Sequence, residues 1–84
     1  MKNKEILKKK IIYRSFHRGT KEMDLLIGTF VKKNINILND KELLDLNFLV
    51  ETDDEVLKGF FFGKNSENLI PINKVFKMFK KFRI

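Results

Sequence analysis

Thr20-Lys21-Glu22-Met23-Asp24-Leu25-Leu26-Ile27-Gly28-Thr29-Phe30-Val31-Lys32-Lys33-Asn34, residues 20–34, is the stretch that decides the fold. Met23, Leu26, Ile27, Phe30 and Val31 recur at the i, i+3, i+4, i+7, i+8 spacing of a one-sided helix, where a half-buried strand would alternate every second residue. Thr20 stands where an N-cap belongs, which puts Glu22 and Asp24 in the first turn, where the helix dipole favours a carboxylate by about 0.3–1 kcal/mol. The helix is expected to end near Asn34. Leu25 departs from the stripe: it falls on the opposite side, near Glu22 and Thr29. Either this helix is enclosed on two sides within a bundle, or Leu25 is an exposed apolar spot beside Arg18 and Glu22 that belongs to a partner interface.

The flanking sequence carries the same period. A first helix is predicted from about Asn3 to His17, with Ile6, Leu7, Ile11, Tyr13 and Phe16 as its apolar set and Gly19 as its breaker. Asn39 followed by Glu42 has the form of a capping box and opens a third helix carrying Leu43, Leu44, Leu46, Phe48, Leu49 and Val50. Thr52 with Glu55 repeats that signal for a short fourth helix, with Val56, Leu57, Phe60 and Phe61 inward and Gly63 as its stop. Residues 64–69 read as a loop. Pro71 suits the start of a fifth helix whose buried stripe is Ile72, Val75, Phe76, Phe79 and Phe82. One proline, four glycines and little alternating polarity argue against a sheet. The expected fold is all-α, a compact five-helix bundle in a single domain over residues 1–84, with Leu43, Leu46, Phe76 and Phe79 supplying much of the core.

Bulk properties narrow the function. A chain of 84 residues has room for one core and little for a deep active site. No apolar run approaches the roughly 18 residues that span a bilayer. The basic start lacks the apolar segment and cleavage site of a secretory signal, so a cytoplasmic protein without membrane insertion is expected. With no cysteine and a single histidine there is no thiol nucleophile, disulfide framework or Cys/His zinc site. The net charge of +7 is uneven: residues 1–21 hold eight Lys/Arg against Glu5, residues 22–63 four against nine acids, and residues 64–84 six against Glu67. Such basic ends could draw nucleic acid or an acidic membrane, yet Lys-rich termini on a small protein are more often solvated faces.

The densest chemistry sits where the first two helices meet, in Arg14, His17, Arg18, Gly19, Glu22 and Asp24. Dipole complementarity at the two helix ends accounts for the charges locally. His17 has no serine or cysteine nucleophile to serve and reads as an interface or capping residue. Asp53, Asp54 and Glu55 read as acids stabilising a helix start rather than as a metal cluster. Gly59 and Gly63 flank Phe60, Phe61 and Phe62 without the strand and glycine spacing of a phosphate loop.

The run RSFHRGTKEMDLLIG, residues 14–28, resembles the signature of the SdhE family of succinate dehydrogenase assembly factors. The family's RGxxE motif is Arg18, Gly19 and Glu22, followed by its aspartate at Asp24 and a leucine-rich helix. Asn39 to Leu43, Phe48 to Glu51, the acidic turn at Thr52 to Glu55, and Gly63 arrive at the family's spacing, so the likeness covers roughly residues 11 to 82. The chain departs from the family at Gly59 and Phe60, where an acid and a tryptophan are common, and in the acidic turn, where a proline is replaced. The resemblance implies a chaperone-like, non-enzymatic helper that binds the flavoprotein subunit of succinate dehydrogenase, and in some bacteria that of fumarate reductase, and promotes covalent FAD attachment. It implies that the flavin and the attacking histidine both belong to the partner, so this chain holds no cofactor; separately, a monomer is expected when the chain is free. Arg18 and Glu22 would be exposed, partner-contacting charges worth about 0–1 kcal/mol to stability. Gly19 would be either a left-handed helix stop or, as its place between charges favours, a point of close approach for the partner's backbone; Arg14, His17 and Asp24 would support them. The rival reading is a basic helical regulatory module, antitoxin-like or nucleic-acid-binding. A nucleic-acid binder should line one recognition helix with its cations, whereas the second to fourth helices here are net acidic.

Overall fold

In the computed structural model, which describes residues 2–63 and 73–83, the chain runs through five helices: α1 (Lys2–Ser15), α2 (Lys21–Asn34), α3 (Asp40–Glu51), α4 (Asp54–Phe61) and α5 (Lys74–Lys81). Among the described residues there is no strand. Three helices start on a side-chain cap. Thr20 Oγ1 accepts the Met23 N–H at 3.2 Å, and Asn73 Oδ1 accepts the Phe76 N–H at 2.9 Å. At α3 the predicted capping box closes both ways: the Glu42 N–H donates to Asn39 Oδ1 at 2.8 Å, and the Asn39 N–H donates to Glu42 Oε1 at 3.0 Å. Gly63 follows α4 at φ +79°, a conformation suited to glycine at a helix end. Gly59 stays inside α4. The loop expected over residues 64–69, Pro71 and Ile72 lie outside the described residues.

The start of α4 differs from expectation. Its N-cap is Asp53, which makes no side-chain capping bond. Thr52 instead closes α3, its hydroxyl donating to the Phe48 carbonyl at 2.8 Å. A hydroxyl between two helices can serve the end of the first or the start of the second, and Thr52 serves the first.

Helix α3 packs against α1 and α5, α2 against α1, and α4 against α5. Their inward faces form one core in which Leu43, Leu46, Phe76 and Phe79 are fully enclosed, as expected, together with Ile11, Ile27, Leu49, Leu57 and Val75. Phenylalanine rings join the helices: Phe30 of α2 meets Phe79 and Phe82 edge-on at 5.3 Å, and Phe60 of α4 meets Phe76 at 6.0 Å. Such edge-on pairs add about 0.5–1.5 kcal/mol each beyond the area they bury.

Helix α1 corrects the expected apolar set. Its core face is Leu7, Ile11 and Ser15, spaced i, i+4, i+8, whereas Ile6, Tyr13 and Phe16 are 57%, 64% and 53% exposed. The small Ser15, fully buried, keeps α1 close to its neighbours, and its hydroxyl is satisfied by the Ile12 carbonyl at 2.7 Å. The helix stops at Ser15, short of His17 and well before Gly19. Phe16 then turns across α2 at Gly28, where a Cβ would stand 3.0 Å from Phe16 Cε1. Leu25 is exposed, which excludes the enclosed form of α2. No helix among the described residues is long and apolar enough to cross a membrane.

Polar ties cross the helices at the rim. Lys4 pairs with Asp40 at 3.3 Å, and Lys74 of α5 pairs with Glu42 of α3 at 3.2 Å. The Asn39 N–H, and after it the Lys74 ammonium, hold the Glu42 carboxyl below its ordinary range. The unfolded chain therefore binds a proton at Glu42 more readily than the folded one, so this contribution to stability is present above the ordinary glutamate pKa and is lost as the pH falls through the lowered value.

Two outcomes follow from this packing. Phe79→Ala is expected to cost about 3–5 kcal/mol in urea unfolding, while Leu44→Ala, on the exposed side of α3, costs less than about 1 kcal/mol. The stability difference between the native chain and Glu42→Gln is expected to be constant at neutral pH and to shrink as the pH drops below about 4.5; a difference independent of pH would mean that the Glu42 charge plays no part.

Candidate functional site

The α1–α2 junction crosses the α3–α4 junction, and Arg18 occupies the crossing. Its side chain is 8% exposed, too enclosed to rely on water for its donors. Nε donates to Asp54 Oδ1 at 2.7 Å, Nη2 to the Thr52 carbonyl at 2.7 Å, and Nη1 to the Val50 carbonyl. The Val50 carbonyl is among the last four of α3, which have no intrahelical donor, so Arg18 acts as a C-terminal cap supplied from another part of the chain. Asp54 in turn sits in the first turn of α4, where the helix dipole favours its negative charge. Its second oxygen accepts the Gly19 N–H at 2.8 Å, and Asp24 Oδ1 accepts the Arg18 N–H at 2.6 Å.

This arrangement divides the predicted site residues. Arg18, expected as an exposed charge, is turned inward. Gly19 is not in the left-handed region; its close approach is to Asp54 of the same chain, since a Cβ there would lie 3.1 Å from Asp54 Oδ2. Asp24 is half-buried and spends a carboxylate oxygen on the junction. Arg14 pairs with Glu51 and reaches Asn47 Oδ1 at 3.5 Å, tying α1 to α3. His17 is exposed: its Nδ1–H donates to the Tyr13 carbonyl at 2.6 Å and its ring stacks on Tyr13 at 4.0 Å, which leaves Nε2 facing outward. Glu22 is exposed on the first turn of α2 and makes no hydrogen bond or ion pair among the described residues.

Around the crossing lies an open depression lined by His17, Arg18, Gly19, Glu51 and the turn from Thr52 to Glu55. It continues over Glu51, Thr52 and Asp53 onto an apolar shelf made by Phe48 and Val56. Behind the motif, Phe16 and Leu25 form a second apolar spot with Lys21 and Thr29. Sequence reasoning missed Asp54 as part of the site, because 36 residues separate it from Arg18 and its position at a helix start explained its charge without a partner. The signal available was stoichiometric: an arginine beside a glycine in a tight junction needs a carboxylate, and the acidic turn is where the chain concentrates them. Tyr13, expected in the core, was missed for the opposite reason.

A family model described as the flavinator of succinate dehydrogenase, Sdh5, matches residues 9–83. The chain is 37% identical over 57 residues to the FAD assembly factor SdhE of Acetobacter pasteurianus, a match covering 68% of this chain and 52% of that protein. It is 44% identical over 50 residues to the mitochondrial succinate dehydrogenase assembly factor 2 of Dictyostelium discoideum, covering 60% of this chain and 36% of that protein. To the FAD assembly factor SdhE of Wigglesworthia glossinidia brevipalpis it is 32% identical over 78 residues, 92% of either chain. The matched stretch thus spans about half the length of the first relative, about a third of the second and nearly all of the third. No solved structure matches the chain.

The crossing makes a stability prediction that separates the motif residues. Arg18→Ala strands Asp54 and two backbone carbonyls and is expected to cost about 3 kcal/mol or more, a large part of a small domain's stability. Glu22→Ala is expected to stay within about 0.5 kcal/mol. Gly19→Ala should cost about 1–2 kcal/mol by crowding the Asp54 carboxylate, and almost nothing when Asp54 is itself changed to alanine. Urea unfolding of the native chain, the three single variants, Asp54→Ala and the Gly19→Ala/Asp54→Ala double variant decides it; an Arg18→Ala midpoint equal to the native one would show that the crossing is not what holds the junctions.

Proposed function

The chain belongs to the Sdh5 family of succinate dehydrogenase flavinators, to which the SdhE proteins belong, and from that premise we propose that it is an assembly factor. It binds the flavoprotein subunit of succinate dehydrogenase and promotes covalent attachment of FAD to that subunit. The chemistry belongs to the flavoprotein; this chain is no enzyme and contributes a surface that is already in shape before docking. The observation that carries this reading is the split within the motif: Arg18 and Gly19 are locked into the chain's own fold while Glu22 stands uncommitted beside them. A carboxylate kept free on a rigid helix end is suited to a charge-assisted hydrogen bond with a donor on another protein. Leu25, one turn further along α2, and the stacked Tyr13–His17 pair offer apolar and aromatic area on either side of the motif.

The flavoprotein of fumarate reductase is a second client within the same proposal, and the free chain acts as a monomer in the cytoplasm. The mitochondrial designation belongs to the relatives that carry it. Against the nucleic-acid reading, Lys33, Lys80 and Arg83 lie over the chain's own Phe82, Phe60 and Phe61 rings.

The test uses purified flavoprotein subunit lacking flavin, free FAD, and the full chain. The native chain is expected to raise the yield of covalently bound flavin, read as flavin fluorescence that survives denaturation. Glu22→Ala should lower flavinylation about tenfold or more, equivalent to about 1.4 kcal/mol of lost docking energy, with an unchanged thermal midpoint. Normal flavinylation by a folded Glu22→Ala chain would remove Glu22 from the docking surface.

A further inference from the structure

We infer that Asp54 is a positioning residue of the RGxxE surface, an inference that rests on the assembly-factor reading and extends the motif to a member 32 residues beyond Glu22 in sequence. One carboxylate serves both locked motif positions: Oδ1 accepts from Arg18 Nε at 2.7 Å and Oδ2 from the Gly19 N–H at 2.8 Å. Gly19 immediately precedes Thr20, the N-cap of α2, and Glu22 lies in the turn that Thr20 opens. The direction in which Glu22 leaves the surface is therefore set by where Asp54 holds the Gly19 amide, with Asp24 fixing the other side through the Arg18 N–H.

The geometry is specific to aspartate. Both oxygens accept, so an asparagine would turn an NH2 group toward a guanidinium or an amide N–H, donor against donor. Glutamate has the charge but an extra methylene, and the Gly19 Cα already sits so close that even a Cβ on it would be 3.1 Å from Oδ2. Asp54 also anchors the opposite wall: it opens α4 at one edge of the depression while Arg18, which it holds, caps α3 at the other. Docking face and acidic turn are thus fixed relative to each other through this side chain. A partner that spans both would meet a surface with little freedom left to lose, which lowers the entropic cost of association.

The experiment measures covalent flavin on the flavoprotein subunit against concentration of the full chain, native or Asp54→Asn, at a temperature where circular dichroism shows both folded. In parallel, nuclear magnetic resonance follows solvent exchange of the Arg18 Nε–H. For Asp54→Asn the expected result is Nε–H exchange at least tenfold faster, a half-saturating concentration raised about tenfold or more, and a rate at saturation changed less than twofold. Adding Glu22→Ala should deepen the loss by less than the product of the two single effects, because both act through one contact. Should Asp54→Asn unfold, Gly19→Ala, whose methyl displaces the same carboxylate, answers the same question. Unchanged Nε–H exchange would show that Asp54 does not hold the motif. Faster exchange with an unchanged half-saturating concentration would show that holding the motif does not matter for docking. Either result overturns the inference while leaving the assembly-factor reading in place. A native chain with no effect on flavinylation overturns that reading and this inference together, and the native control alone identifies that case.

Discussion

An arginine withdrawn from water needs acceptors within the protein, and Arg18 finds three at the ends of two helices it does not belong to. Burying a guanidinium costs several kcal/mol that a single ion pair seldom recovers. Here the recovery is shared: a carboxylate supplies the opposite charge, two carbonyls that would otherwise lack donors supply the remaining acceptors, and the N-terminal dipole of α4 favours the ionised aspartate. The same contact therefore caps α3, positions α4 and shapes the link between α1 and α2. Remove it and three separate problems reappear, which is why this position is structural despite its exposed, basic look in the sequence.

The parts of the fold that could be read from the sequence are those decided within one or two turns of chain. The α2 stripe, the Thr20 cap and the Asn39–Glu42 box are contacts between residues three or four apart, and each stands where the pattern put it. The misread parts were decided across the bundle. Tyr13 and Phe16 are apolar residues near the helical spacing, but the face α1 turns inward is chosen by what α2 and α3 offer, and it runs through Leu7, Ile11 and Ser15. Hydrophobicity marks a residue as a candidate for burial; only packing selects among candidates, and a small hydroxyl that lets helices approach can win over a ring. Thr52 shows the same ambiguity in polar form, since its hydroxyl fits two helix ends and the chain uses the nearer one.

The candidate site was half legible for a related reason. The motif located the junction, and charge counting located the acidic turn, but nothing in either stretch says that they meet. Read separately, the cations complement one helix end and the acids another, and both explanations are locally sufficient. The structure joins them into one network, leaving Arg14, Arg18, Gly19 and Asp24 engaged with their own chain, His17 exposed but held on Tyr13, and Glu22 exposed with no partner among the described residues.

That partition bears on what a short motif signifies. Residues that recur together are easily taken as a list of contacts to a partner, yet Arg18 and Gly19 act here on the backbone that carries Glu22. A flexible acidic side chain on a loose loop would lose freedom on docking at every bond that had to settle. On a capped helix whose entry is pinned by Asp54, most of that ordering is already complete in the free chain, and the docking proposed for Glu22 would be correspondingly less diminished. Under the proposed docking mode, folding stability and docking would be coupled in one direction. Damage to the locked residues would weaken docking by freeing the surface, whereas damage to Glu22 would leave the fold untouched. An assay that reads only partner activity sees the two kinds of loss as one phenotype; only when folding is measured beside it do the builders of the surface separate from the group that uses it.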